Sequence, residues 1–231
     1  NDTISSGSGS DTMLGFNGND TFNIRSKSGA YADTVNGGAG TDTLDIDYTG
    51  ISNLGSFSIL YGNGTVTLTD SNSGSVAYNI ASMENLTVND IEYSKVEQAY
   101  WNSTEKVLYA WSGLNISSSE LLGLSGLSAS DNLTIYGSNP TAASGASDTL
   151  NLNIDRASAL TGNLTIALLG DIDTLNSAKL KNGDSIDMGA GNDAVYLMLT
   201  GSNGTPTIGA ADISKLDGGA GVDTLGFEES G

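Results

Sequence analysis

The chain has 231 residues, 27 of them acidic and 8 basic, for a formal charge of −19, and it contains no cysteine and no histidine. The missing residue types exclude disulfide scaffolds, thiol nucleophiles, cysteine-ligated zinc, Ser-His-Asp triads and histidine-held metal or haem. The charge repels nucleic acid and anionic membranes, and no apolar run approaches the ~18 residues needed to span a bilayer, so the natural partners are cations. Of the acidic residues 20 are Asp and 7 are Glu. Asp is a short-armed turn and cap residue, whereas Glu favours exposed helices. Hydrophobic residues make up 38%, which separates the chain from disordered acidic tails. It begins at Asn1 and shows no signal peptide, and it reads as a piece of something longer.

In chain order, a nine-residue repeat comes first. Ser6-Gly7-Ser8-Gly9-Ser10-Asp11-Thr12-Met13-Leu14 is followed by Gly15-Phe16-Asn17-Gly18-Asn19-Asp20-Thr21-Phe22-Asn23. Asn1-Asp2-Thr3-Ile4-Ser5 is the tail of a preceding unit, so Asp2, Asp11 and Asp20 share one slot. After an interruption at Ile24 to Lys27 the register resumes, placing Asp33 and then Gly37-Gly38-Ala39-Gly40-Thr41-Asp42-Thr43-Leu44. Each unit fits G-G-x-G-x-D-x-U-x, with U a large apolar residue. Glycine-rich turns reach conformations closed to other residues and leave carbonyls exposed, and the Asp behind the turn aims a carboxylate at the same point. Calcium takes six to eight hard oxygens at about 2.3–2.6 Å, a set that stacked turns of this kind supply. The x-U-x triplet is a very short strand with one side chain turned inward.

Residues 48–178 read as a β-rich middle segment, either solenoid or sandwich. Ser56–Leu60, Thr65–Thr69 and Val76–Ile80 alternate or are rich in β-formers. Asn-Leu-Thr-Val/Ile recurs at Asn85, Asn132 and Asn163, with Asp148–Ile154 a close relative, which suggests stacked rungs. Residues 91–126 differ: Tyr93, Tyr100, Trp101, Tyr109 and Trp111 gather there, read first as core and second as a contact surface. Ser117 to Glu120 forms a capping box before a short helix. Asp70, Asp90, Asp155 and Asp171 read first as solvated turns, and Gly170-Asp171-Ile172-Asp173 is the best candidate among them for an extra cation contact.

The nonapeptide returns in the last block, 179–231. Gly183-Asp184 leads into Met188-Gly189-Ala190-Gly191-Asn192-Asp193, and later comes Gly218-Gly219-Ala220-Gly221-Val222-Asp223-Thr224-Leu225. Asn182 replaces a glycine and Ser214 stands where an Asp is expected. Gly18 and Gly191 begin similar stretches 173 residues apart, the second carrying an insert at Gly201 to Pro206. This spacing suggests an alternating array in the parent protein.

These blocks, 1–47 and 179–231, resemble the RTX calcium-binding nonapeptide repeats of secreted bacterial proteins. The resemblance implies an all-β fold of calcium-stacked parallel β-roll blocks flanking the β-rich middle. It implies several Ca2+ ions, each between turns one coil apart, pairing Asp2 with Asp20, Asp11 with Asp33 and Asp20 with Asp42. For those pairings the interruption Ile24 to Lys27 is expected to loop out. The implied metal set is Asp2, Gly7, Gly9, Asp11, Gly18, Asp20, Asp33, Gly37, Gly38, Gly40, Asp42, Asp184, Gly189, Gly191, Asp193, Gly218, Gly219, Gly221 and Asp223.

With the Ser/Thr/Asn-rich middle, the chain is most similar to S-layer proteins and large RTX adhesins. The expected function is a non-enzymatic calcium-binding structural module at the bacterial cell surface, exported by type I machinery and rigidifying on extracellular calcium. Its expected partners are calcium and neighbouring repeats or copies in a lattice or fibre. The alternative is an adhesin domain whose 91–126 aromatics bind glycan or protein.

Overall fold

A computed structural model describes residues 1–62, 64–70, 74–111, 113–137, 147–154, 156, 159–178, 180–181, 183–199 and 215–229. Among the positions singled out above, Asp155, Asn182, Ser214 and the insert at 201–206 lie outside them. Packing divides the chain into two units, Asn1–Val96 and Glu97–Gly231.

In the first unit the strands are β1 (Thr3–Ser5), β2 (Thr12–Leu14), β3 (Thr21–Arg25), β4 (Tyr31–Asn36), β5 (Thr43–Asp47), β6 (Ser58–Gly62), β7 (Thr65–Thr69), β8 (Gly74–Asn79), β9 (Asn85–Val88) and β10 (Ile91–Val96). β1, β3, β5 and β9 pair in parallel, and so do β2, β4 and β8. Successive strands therefore alternate between two sheets, one coil per pair, which is a parallel β-roll. The register stacks like on like: Ile4, Phe22, Leu44 and Leu86 form one column, and Met13, Val35 and Tyr78 the facing one. Apart from Ile4 at the half-buried outer coil, these side chains are buried. A strand of three residues can bury only its middle side chain, so the hydrophobic stabilisation of each coil is small and must be repeated along the stack.

The interruption does not loop out. Ile24 and Arg25 lengthen β3 and pair with Ile46 and Asp47, and Ile24 is fully buried. Only the remainder turns, and it carries Lys27 inward (6% side-chain exposure). The physical reason is that Ile24 is apolar and β-branched, so a second inward position extends the core instead of exposing it. Between β5 and β8 the chain makes the antiparallel pairs β6/β7 and β7/β8 before rejoining the roll.

The second unit contains β11 (Ala99–Asn102), β12 (Val107–Ala110), β13 (Asn115–Ser117), α1 (Ser118–Leu122), β14 (Leu133–Tyr136), β15 (Thr149–Asn153), β16 (Leu164–Ala167), β17 (Thr174–Ala178), β18 (Ser185–Asp187), β19 (Ala194–Leu199), β20 (Lys215–Asp217) and β21 (Thr224–Glu229). From β12 onward the strands alternate strictly: β12, β14, β16, β18 and β20 in one parallel sheet, β13, β15, β17, β19 and β21 in the other. The middle segment thus continues a roll in this unit and is not a sandwich. Two of the Asn-Leu-Thr motifs stack directly, Leu133 on Leu164 and Ile135 on Ile166. The third lies in the first unit against β5.

The aromatic segment is core. Tyr93, Tyr100, Trp101, Tyr109 and Trp111 are all buried. Trp111 donates from Nε1 to Gln98 Oε1 at 2.5 Å, and Trp101 from Nε1 to the Ser125 carbonyl at 3.0 Å. Buried indole N–H groups with partners are what a core placement requires. The second reading of this cluster, as a contact surface, is thereby corrected. The helix start follows the capping box: Glu120 N–H donates to Ser117 Oγ, and Ser117 N–H donates to Glu120 Oε2 at 2.6 Å.

Candidate metal centres

Each turn delivers an aspartate to the N-terminal end of a strand, and adjacent coils join through it. In the first unit Asp2 N–H donates to Asp20 Oδ1 at 2.6 Å, Asp20 N–H to Asp42 Oδ1 at 2.8 Å, and Asp42 N–H to Glu84 Oε2 at 2.9 Å. The second unit repeats the device: Asp148 N–H donates to Asp173 Oδ1 at 2.9 Å, Asp173 N–H to Asp193 Oδ1 at 2.8 Å, and Asp193 N–H to Asp223 Oδ1 at 3.1 Å. One oxygen of each aspartate bonds the backbone, so the other is left to face the turn. Asp20, Asp42, Asp171, Asp173 and Asp193 each keep a buried Oδ2 with no hydrogen-bond partner. A buried unpaired carboxylate oxygen is costly and calls for a cation or a proton.

The turns also make room. The Cβ that Gly15 lacks would stand 2.4 Å from the Gly37 carbonyl and 2.5 Å from Asp20 Oδ2. At Gly37 the same construction meets the Ser82 carbonyl at 2.1 Å and Asp42 Oδ2 at 2.3 Å. Gly137 stands in the same relation to Asp148 Oδ2 and the Leu168 carbonyl (2.8 and 2.9 Å), and Gly218 faces Asp223 Oδ2 at 2.5 Å. Carbonyl and carboxylate oxygens thus converge on space that any side chain would fill. Among the described residues no three carboxylates are grouped closely enough to chelate an ion by themselves. A hard cation here must draw on turn carbonyls as well, and this mixed oxygen set suits calcium.

Other residues of the sequence set fall into place around these ladders. Gly38 and Gly40 (φ +99 and +150) lie over the Phe16 and Gly18 carbonyls, as Gly219 and Gly221 lie over those of Gly189 and Gly191. Gly189 and Gly191 lie in turn over the Leu169 and Asp171 carbonyls. Gly7 N–H donates to Asp11 Oδ2 at 2.9 Å. Three expected aspartates, at two sites, behave differently. Asp11 and Asp33 are joined across the coil, Asp11 N–H to Asp33 Oδ1 at 2.9 Å, but both face the Lys27 ammonium, which also takes the Gly9 carbonyl. Asp184 faces the Arg156 guanidinium.

Sequence reasoning singled out Gly170-Asp171-Ile172-Asp173 only as a candidate for an extra cation contact, and the structure makes Leu168–Asp173 a full turn of the ladder. It aligns with 188–193 by the bridge between Gly170 and Ala190, and its positive φ values fall on Leu169 and Asp171, where other turns carry glycine. Asp173, read first as a solvated turn residue, is fully buried in the ladder. Its proximity to Asp171 was the available signal. Asp148, Glu84, Gly15 and Gly137 were missed. The asparagines one residue before the aspartate form a further ladder, with Thr41 N–H donating to Asn19 and Val222 N–H to Asn192, each at 3.0 Å.

Burial and charge crowding raise the Asp173 carboxyl to about 8, chiefly through desolvation and then through the charges of Asp148, Asp193 and Asp171. Asp193 is raised for the same reasons, with Asp223 and Asp171 as the neighbouring charges. Carboxyls in this condition hold a proton or a metal ion more readily than free ones.

The family model of the RTX calcium-binding nonapeptide repeat matches residues 1–23 and 27–45, in four copies. A comparison with curated proteins gives no match. Among solved structures, the crystal structure of the extracellular lipase LipA from Serratia marcescens aligns with 98% of this chain and 34% of its own, at 16% identity and a TM-score of 0.27. The chain therefore spans about a third of the lipase's length.

Proposed function

From the premise that this chain carries RTX calcium-binding nonapeptide repeats, we propose that it is a calcium-folded structural module of a secreted bacterial cell-surface protein, of the S-layer or surface-assembly kind. The observation that carries the reading is the set of buried, unpartnered carboxylate oxygens repeated coil after coil: Asp20 and Asp42 in one unit, Asp171, Asp173 and Asp193 in the other. Bound calcium supplies positive charge and coordination to oxygens that otherwise repel. Asp20, Asp42 and Glu84 hold it in the first ladder, and Asp148, Asp173, Asp193 and Asp223 in the second, with turn carbonyls completing the set.

Folding and binding are then one free energy. Extracellular calcium modules bind at about 10⁻⁴–10⁻³ M, so a site of this class stays empty at cytosolic calcium and fills outside. The chain would remain expanded during export and rigidify afterwards. The reading assigns no catalysis to this chain, which contains no histidine or cysteine. An adhesive role for the 91–126 segment is disfavoured by the burial of its aromatics. Circular dichroism at pH 8 with calcium and with chelator tests the proposal: β-structure is expected only with calcium, and equal β content in both would overturn it.

A further inference from the structure

We infer that two of the nonapeptide-type turns are closed by the chain's own cations, Lys27 at Asp11/Asp33 and Arg156 at Asp184, and do not take calcium. The inference rests on the proposed calcium ladders only in that it separates these turns from them.

The Lys27 side chain is 6% exposed, and its ammonium donates to the Gly9 carbonyl at 2.8 Å, Asp11 Oδ2 at 2.9 Å, and Asp33 Oδ1 and Oδ2 at 2.7 Å each. These are one turn carbonyl and the carboxylates of two turns one coil apart, the donor class that the calcium turns present. The Tyr31 ring closes the remaining side, its centroid 4.8 Å from Nζ. An ammonium has three donors, and this cage uses all of them. Burial opposes the charge of Lys27, but its bonds to Asp33 and Asp11 prevail and raise its pKa. The Asp11 carboxyl is lowered, first by its bond to Lys27.

Arg156 does the same for Asp184. Its Nη2 donates to Asp184 Oδ1 at 2.6 Å and to the Gly162 carbonyl at 2.9 Å, and its Nη1 donates to the Leu160 carbonyl. Leu164 N–H and Lys181 N–H, each at 2.8 Å, satisfy the rest of that carboxylate. Six of the seven buried aspartates among the described residues fall into two sets. Asp20, Asp42, Asp173 and Asp193 keep an unpartnered Oδ2, whereas Asp33 and Asp184 have both oxygens bonded. Calcium entering either of the latter sites would have to expel a buried cation already bonded to the carboxylate and to turn carbonyls. In each unit one row of turns is thereby left for metal, and a turn on the opposite row is closed without it.

The test counts calcium on the full chain by native mass spectrometry at saturating Ca2+, for wild type, Lys27→Ala and Arg156→Ala. Each variant is expected to bind one more ion than wild type, and an unchanged count at either site overturns the inference for that site. A variant that fails to fold is bypassed by reductive methylation of wild type. Lys27 is expected to stay unmodified with calcium present, and its modification in the calcium-loaded chain would show displacement and overturn the Lys27 assignment. A wild-type chain that binds no calcium would overturn the ladder reading instead, with the protection of Lys27 still read independently.

Discussion

Asp173 has no solvent exposure, and its carboxyl is pushed up to about 8 by lost hydration and by the charges around it. The unfolded value lies near 3.9, so the folded chain binds this proton more tightly. Its contribution is full below about pH 4 and falls as pH rises towards 8. In chelator, β content by circular dichroism should therefore rise as pH falls from 8, where the chain is expanded, towards 4.5, and Asp173→Asn should flatten that rise. Saturating calcium should restore β content at pH 8. A β content in chelator that does not respond to pH would remove Asp173 from the account. Backbone conformation gives a second residue-scale prediction. Gly40 has φ +150, and a Cβ there would lie 1.8 Å from the Gly18 carbonyl. Gly40→Ala should cost roughly 1–3 kcal/mol or more by calcium-loaded thermal unfolding, while Gly62→Ala, in open space, should stay within about 0.5 kcal/mol. Phe16 is 72% exposed at φ +67, in the position filled by glycine in the turn above it. Phe16→Gly relieves a left-handed strain of about 1–2 kcal/mol against an entropy cost of about 0.5–1 kcal/mol, a net gain of about 0.5–1 kcal/mol.

At the scale of elements, strand existence was legible because the nonapeptide states it directly: a glycine turn, an Asp, then one inward apolar residue. Met13, Phe22 and Leu44 all occupy that slot and all are buried. The extension of β3 was not legible, since nothing local to Ile24 reveals that Ile46 and Val88 stand beside it in the stack. The segment at 91–126 was ambiguous for a similar reason: aromatic composition serves a surface and a core equally well. Packing removes the ambiguity, with the Tyr100 and Trp111 ring centroids 5.6 Å apart inside the second unit. Trp111→Ala should cost about 3–5 kcal/mol in denaturant unfolding with calcium present, and a loss below about 1 kcal/mol would place the ring outside the core.

For the whole molecule, the charge of −19 becomes a statement about state. Aligned carboxylates repel in the absence of metal, and small-angle scattering in chelator should show a chain larger than the calcium form. Molar NaCl shortens the Debye length to about 3 Å and should shrink the apo chain. It should not restore β-structure, because screening supplies neither the charge nor the coordination that the buried oxygens need. Recovery of full β content by NaCl alone would make the sites electrostatic ornaments of a fold that is stable without them.

The sequence by itself determined the coil. Aspartates nine residues apart behind glycine turns set the length of a strand and a turn, and equal lengths stack in register. The resemblance to the RTX repeat implied the pairings of Asp2 with Asp20, Asp11 with Asp33 and Asp20 with Asp42, and they hold although the interruption lengthens β3 and does not loop out. Only the tertiary structure decided which carboxylates remain unpartnered. Lys27 lies 16 residues after Asp11, and Arg156 lies 28 before Asp184. Such distances in sequence carry no signal until the coils close and bring a cation into the turn. The conformation of the turn at Leu168–Asp173 was hidden for the same reason: its positive φ values fall on Leu169 and Asp171, which are not glycines.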